Sequence, residues 1–265
     1  MTPATRSLPA ATYQALAPVR REMVLAGRIL TSLGLSYGYG HISARVPNRP
    51  YFLVTPARAL DDLVPDQIEV ADDDGTIAAP RTTEGGPAEV HLHAAVYRSR
   101  PDVAGLVRAQ PEFVEAFGVA RRPISPLNNF GAALLGPTRL YADVGAIDTA
   151  ERGAAAARAL GDGTALVLRG NGCLVVGPDV RTATVRAIWL EQSARLEFRA
   201  LAISAALRDG DSLELLESAE VREIGERLNR PGRIDRAWNA YARRAAPARG
   251  AGSSATAGRP TRRRR

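Results

Sequence analysis

The chain contains no lysine; all 35 of its basic residues are arginine. A Schiff-base mechanism needs an amine that can shed its proton and attack a carbonyl, whereas a guanidinium stays protonated. Imine-forming aldolases, pyridoxal enzymes and P-loop nucleotide chemistry are excluded together. Cysteine is nearly absent as well: Cys173 stands alone, so no internal disulfide can form and a reducing cytoplasm is expected. No uncharged apolar run approaches the length that crosses a membrane, and no apolar core follows Arg6 as a secretion signal requires. Aromatic residues make up only 5%, and none interleaves with the C-terminal arginines as a base-stacking platform would want.

Acidic residues are missing from one stretch in particular. Between Arg243 and Arg265 there are eight arginines and no acid, and removing them from the net charge of +7 leaves residues 1–242 at −1. The basicity therefore belongs to a Gly/Ala/Ser/Pro-rich segment that cannot bury a core. A single folded domain over 1–242 and a disordered arginine-rich tail over 243–265 are expected, with neither nucleic acid nor membrane as a partner.

Hydrophobic residues form 45% of the chain, ample for a core. Apolar positions from Tyr13 to Leu33 recur at helical spacing and stop at Gly34. Two β-like runs, Ile42–Val46 and Tyr51–Thr55, flank the Pro47-Asn48-Arg49-Pro50 turn. Another strand is read at Gln67–Ala71, a helix from Pro87 to about Arg100, and a strand at Val103–Val107. Then follow a helix over Glu112–Val119, an extended piece over Arg139–Tyr141 and a helix over Thr149–Leu160. The strands Ala165–Leu168 and Cys173–Val176 surround an Arg-Gly-Asn-Gly turn, and a long helix runs from Val180 to about Arg208. Strands interspersed with helices and hairpins predict a single-domain α/β/α sandwich around a mixed, largely antiparallel sheet.

Several motifs occur in an order more specific than any one of them. They are Gly40-His41-Ile42-Ser43-x-Arg45-Val46-Pro47, Leu53-Val54-Thr55-Pro56, the segment from Glu89 to Asp102, Arg169-Gly170-Asn171-Gly172, and the Glu191 region. In this order they resemble the class II aldolase/adducin family, from about Leu25 to Glu191. Metal-dependent members of that family hold a divalent ion, commonly zinc, on three histidines beside a glutamate that moves a proton. The cation stabilises an enediolate forming on the substrate. By position the glutamate is Glu89, while the three histidines fall on Arg108, Gln110 and Asn171. A guanidinium has no lone pair to give a metal, so no metal and no cofactor are expected in the family's manner. The family's phosphate-binding places are altered too: His41 stands for an asparagine, Ala57-Arg58 displaces a glycine, and Pro87-Ala88 replaces two serines.

The resemblance implies a lyase, decarboxylase or cyclase type of enzyme, with relatives in bacterial specialised metabolism, acting on a small carbonyl or carboxylate substrate and assembled as a homo-oligomer. Glu89 is the expected acid/base, although a carboxylate near a helix N-terminus is also favoured as plain structure. His93, four residues on, shares its helical face and can orient Glu89, act as a base, or sit as a satisfied core histidine. Arg108 can pair with a substrate anion, or with Glu89 itself. Direct Glu89–Arg108 contact in a closed pocket marks a dead site; both groups facing an open cavity marks a working one. Gln110 and Asn171 are candidate neutral donors, and His41 and Arg58 candidate anion contacts. Asn128 is the polar candidate where some aldolases carry a tyrosine. His91, Arg98 and Arg100 are expected to be structural, the arginines pairing with Asp102, and Cys173 to be a buried small hydrophobe. Two other readings stand beside this one: a non-catalytic adducin-like scaffold, and a lyase or oxygenase with a divalent metal relocated onto Glu89, His93 and Gln110.

Overall fold

The computed structural model describes residues 8–79, 82–207 and 213–246. Eight strands form one sheet in the order β4-β3-β2-β1-β5-β8-β7-β6. β1 (His41–Arg45) and β2 (Tyr51–Val54) are the expected hairpin, with Asn48 in the left-handed region at its turn. β3 (Glu69–Asp72) and the three-residue β4 (Ile77–Ala79) extend that side. β5 (Gly105–Ala109), β7 (Ala165–Leu168) and β8 (Cys173–Gly177) complete the centre. β6 (Arg139–Tyr141) pairs in parallel with β7, the one parallel pairing among the described residues.

Side-chain alternation along these strands builds two cores, one on each face. Leu106, Leu166, Leu174 and Val176 pack with α3 (Val90–Ser99) and α6 (Ala150–Leu160). Val107, Ala109, Val167, Cys173 and Val175 pack on the other face with α2 (Ala17–Ser32) and α7 (Val180–Leu207). Helices on both faces of a mostly antiparallel sheet make the expected α/β/α sandwich.

Three departures from the sequence reading have physical causes. The helix read over Tyr13–Leu33 is two, α1 (Ala10–Ala15) and α2, because Pro18 cannot donate a backbone hydrogen bond and its ring meets the preceding turn. The strand read at Val103–Val107 begins instead at Gly105: Val103 N–H still closes the turn after α3 onto Arg100 O, and a Cβ at residue 105 would lie 2.3 Å from the Asp179 carbonyl. That two-residue shift takes Arg108 into the strand. Finally, α9 (Pro231–Ala245), a helix not read from the sequence, includes Arg243 and Arg244, so helix continues two arginines past the expected start of the tail. Residues 247–265 of that expected tail lie outside the described residues. β4 and α5 (Asn129–Ala132) are too short to carry a period; α8 (Ser218–Leu228) was not read from the sequence although Val221, Ile224 and Leu228 recur at helical spacing, whereas α4 (Glu112–Val119) falls where expected.

Candidate active site

β1 and α3 lie against each other with their polar residues interleaved. Along β1, His41, Ser43 and Arg45 recur every second residue and share one sheet face, while Ile42 and Ala44 enter the opposite core. Along α3 and the residue preceding it, Glu89, His93 and Tyr97 recur every fourth residue and share one helical face. Four helical residues advance about 6 Å and two strand residues about 6.7 Å, so the two sets mesh.

The contacts run in alternation. His41 Nε2 lies 3.1 Å from Glu89 Oε2, and His41 Nδ1 lies 2.5 Å from His93 Nε2. His93 Nδ1 is 2.6 Å from Ser43 Oγ, which is 2.8 Å from the Tyr97 hydroxyl. The Arg45 guanidinium covers the Tyr97 ring at 4.8 Å and donates to the Tyr97 and Arg100 carbonyls at the end of α3.

β5 brings the cation. Arg108 stands opposite His41 in the β1–β5 register. Its Nε donates to Glu89 Oε2 at 2.9 Å and its Nη1 to the Ala109 carbonyl at 3.0 Å. A guanidinium 2% exposed needs such partners, since an unpaired buried charge is strongly destabilising. Burial works to raise the Glu89 carboxyl's affinity for a proton. The His41 hydrogen bond and then the Arg108 charge outweigh it, and its pKa falls to about 2. Glu89 precedes the first turn of α3 but its side chain makes no capping bond there, so its orientation belongs to the pocket rather than to the helix dipole. Desolvation keeps His41 below the ordinary histidine value. His93, wholly buried, is held well below it by desolvation and by His41. Both imidazoles are therefore neutral near pH 7.

Glu89, Arg108 and His41 line a cavity of about 370 Å³ together with Arg58, Gln110 and Asn171. Tyr39, 76% exposed, stands at its rim. Gly172 brings Asn171 over the end of β5: it adopts φ +67°, and a Cβ there would sit 2.1 Å from the Ala109 carbonyl. Gln110 Nε2 thereby donates to Asn171 Oδ1 at 3.3 Å.

Residues 21–198 match the model of the class II aldolase and adducin N-terminal domain. The chain belongs to that family. This class II aldolase-family chain is 31% identical over 245 residues to 3,4-dihydroxyphthalate decarboxylase of Arthrobacter keyseri, covering 84% of this chain and 96% of that one. The decarboxylase of the same name from Rhodococcus jostii is 29% identical, over 71% and 83% of the respective chains. An aldolase II superfamily protein from Pseudomonas syringae shares the fold at a TM-score of 0.72 and 23% identity, covering 90% of this chain and 94% of that one. Family and relatives make this chain a lyase-type enzyme.

The metal that the family resemblance implies does not fit these side chains. Arg108 fills one ligand position with a cation, bonded to the carboxylate a metal would approach, and Gln110 and Asn171 present amides that bond to each other. Among the described residues no group of three or more His, Cys, Asp or Glu is arranged to hold an ion. The relocated set fares no better, because both ring nitrogens of His93 are engaged by His41 and Ser43.

Other candidates fall in three places. Glu89, His41, Arg58, Arg108, Gln110 and Asn171 are brought together. His93 lies one layer behind His41 and does not touch Glu89. Asn128 stands apart, capping α5 through Phe130 N–H and Gly131 N–H, with Ser193 beside it. Arg58 is already engaged by Gln67, Asp62 and Glu84. His91 meets the Asp74 carbonyl; Arg100 pairs with Asp102, while Arg98 turns to Asp73 O and Asp74. Cys173 is fully buried, its thiol pushed up to about 12 by desolvation. The sequence reading missed Ser43 and Tyr97; their signal was polar residues continuing the two-residue and four-residue spacings into an otherwise apolar layer.

Proposed function

We propose that the protein is a metal-independent decarboxylase of a small hydroxylated aromatic carboxylate, with Glu89 moving the proton and Arg108 holding the anion. The observation that carries this reading is a carboxylate and a guanidinium 2.9 Å apart, both lining one cavity. The named activity of the relatives supports the reaction class.

A hydroxyl on the ring feeds electron density to the carbon bearing the carboxylate. That carbon takes a proton, its bond to the carboxylate breaks, and CO2 leaves, so one proton is consumed per turnover. Beside His41 and Arg108 alone, Glu89 is held ionised, a poor proton donor. A substrate anion entering beside Arg108 divides the guanidinium's attraction and repels the Glu89 charge, and both effects raise the carboxyl's proton affinity. Glu89 then carries a proton to the ring carbon and returns to the carboxylate. Arg108 retains the anionic oxygens through planar, paired donors. Gln110 and Asn171 orient the ring through neutral hydrogen bonds. We infer a cytoplasmic homo-oligomer, acting in bacterial specialised metabolism.

The test is CO2 release from 3,4-dihydroxyphthalate and related hydroxybenzoates by protein prepared in EDTA. Activity is expected to survive the chelator, and Glu89→Gln to lower kcat by about 10²–10⁴-fold. Loss with EDTA and recovery with zinc would refute metal independence; no CO2 from any of these acids would refute the decarboxylase. The Glu89–Arg108 ion pair also favours a second reading, a binding pocket without chemistry. In that case these acids bind without losing CO2, and Glu89→Ala leaves binding intact.

A further inference from the structure

The mechanism above uses Glu89 and leaves a buried array behind it unexplained. Two neutral histidines, a serine and a tyrosine are drawn into contact inside an apolar layer, where Phe52 stacks on His93 and packs against Tyr97. Structure alone does not require them, since leucine or valine fills such a layer without partners. The contacts also have a single sense. Ionised Glu89 can only accept, so His41 donates from Nε2 and its bare Nδ1 accepts from His93 Nε2–H. His93 Nδ1 is then bare and accepts from the Ser43 hydroxyl, whose oxygen accepts from Tyr97 O–H. Every donor points toward Glu89. At the far end Tyr97, 5% exposed, lines a second cavity of about 120 Å³ with Arg45, Arg49, Asp73 and Arg98.

We propose that Tyr97, Ser43, His93 and His41 form a proton wire that recharges Glu89 from this second cavity while substrate fills the first. The proposal rests on the decarboxylase reading, because that reaction consumes a proton that a substrate-filled pocket cannot take from its mouth. Atoms balance along the path. His41 Nε2–H passes to Glu89 Oε2, His93 Nε2–H to His41 Nδ1, the Ser43 proton to His93 Nδ1, and the Tyr97 proton to Ser43. A proton from water in the second cavity restores Tyr97. One proton enters, none is stored, and both histidines remain neutral while exchanging tautomers. Burial raises the Tyr97 phenol above its ordinary pKa, which keeps it protonated at rest, while the Ser43 hydrogen bond and the Arg45 guanidinium over its ring work against that rise. After product leaves, water at the open mouth of the first cavity protonates His41 Nε2, His41 Nδ1–H returns to His93 Nε2, His93 Nδ1–H to Ser43, and the Ser43 and Tyr97 protons pass outward to the second cavity, so each reset takes one proton in at the mouth and releases one at the far end.

The experiment has two arms on the full chain. With only three histidines, imidazole nitrogen-15 NMR can be read residue by residue at pH 7. The wire requires His41 and His93 both protonated at Nε2 in the resting protein; either one protonated at Nδ1, or as the imidazolium, overturns it. The second arm measures turnover of the dihydroxyphthalate by Tyr97→Phe and Ser43→Ala, with thermal melts to confirm folding. The expected result is a kcat lowered at least tenfold, KM within twofold, and a larger solvent isotope effect, as proton supply becomes limiting. Folded Tyr97→Phe turning over at the unaltered rate overturns the wire even when the tautomers agree. If Tyr97→Phe fails to fold, Ser43→Ala decides by the same criteria. No turnover by the unaltered protein sinks the decarboxylase reading instead, a result distinguishable from wrong tautomers in an active enzyme.

Discussion

Arg108 replaces a ligand with a charge, and the consequence is measurable without substrate. Glu89 has a folded-state pKa of about 2 against an ordinary 4.5. Its ionised form is thus favoured by folding: the stabilisation is present above about pH 4.5 and is lost as pH falls toward 2. The span is about 3 kcal/mol by linkage. Arg108→Met is expected to destabilise the protein by about 3–5 kcal/mol near pH 7, because it removes the cation paired with a buried carboxylate and leaves it only neutral hydrogen-bond partners. It should also flatten the fall in stability between pH 4.5 and 2. Urea midpoints of both proteins across that range check this, and parallel acid limbs would show that Arg108 does not hold Glu89. At this scale the sequence was informative about which residues gather, since Glu89, Arg108, Gln110, Asn171 and His41 sit at family positions. It was silent on whether Arg108 would face substrate or Glu89. It contacts the Glu89 carboxylate in a cavity with an exposed rim, so neither simple outcome expected from the residues alone applies. Rotamer and partner choice depend on three-dimensional neighbours that no spacing encodes.

Most elements with a long period were legible, but α8 and α9, whose apolar residues also recur at helical spacing, were not read. The hairpin of β1 and β2, α4, β6 and the β7–β8 turn fall where their residues suggest. The strand carrying Arg108 was read two residues early, because apolar Val103 looks like a strand residue while the close approach at Gly105 is a tertiary fact. The Gly172 turn gives a direct test of how an element positions the pocket. Gly172→Ala places a Cβ against the Ala109 carbonyl in a left-handed conformation; the conformation alone costs about 1–2 kcal/mol, and the overlap adds to it. A melting temperature lowered by several degrees with a raised KM is expected, as Asn171 is pushed off Gln110. An unchanged melt and KM would mean the turn relaxes without moving the pocket.

Across the whole molecule, two apolar layers on opposite sheet faces account for the folding of this class II aldolase-family chain, and no described helix is long and apolar enough to cross a membrane. The C-terminal half of α7 nevertheless exposes Leu196 and Ile203, two turns apart on one helical face, large apolar side chains that a monomer gains nothing by displaying, while Phe198 lies on the opposite face against the Phe113 ring. A second copy of the chain is the expected cover, in keeping with the assembly its resemblance implies. Sedimentation should therefore report a species heavier than one chain, and Ile203→Glu should shift it toward the monomer; a monomer at micromolar concentration would contradict this. Such a surface is invisible in sequence, where a leucine facing solvent and one facing the core read alike.

The meshing of α3 with β1 behaves like a vernier. Helix and strand scales differ by about 0.7 Å per step, while hydrogen-bond lengths tolerate roughly 0.5 Å of spread. Alignment good at one rung decays within a few, so a polar ladder between a straight helix and a straight strand has a built-in maximum length. This one passes from carboxylate to tyrosine in four contacts, and then Arg45 turns from the row to the carbonyls ending the helix. The reach of a conduit built this way is set by arithmetic between two secondary structures before any side chain is chosen.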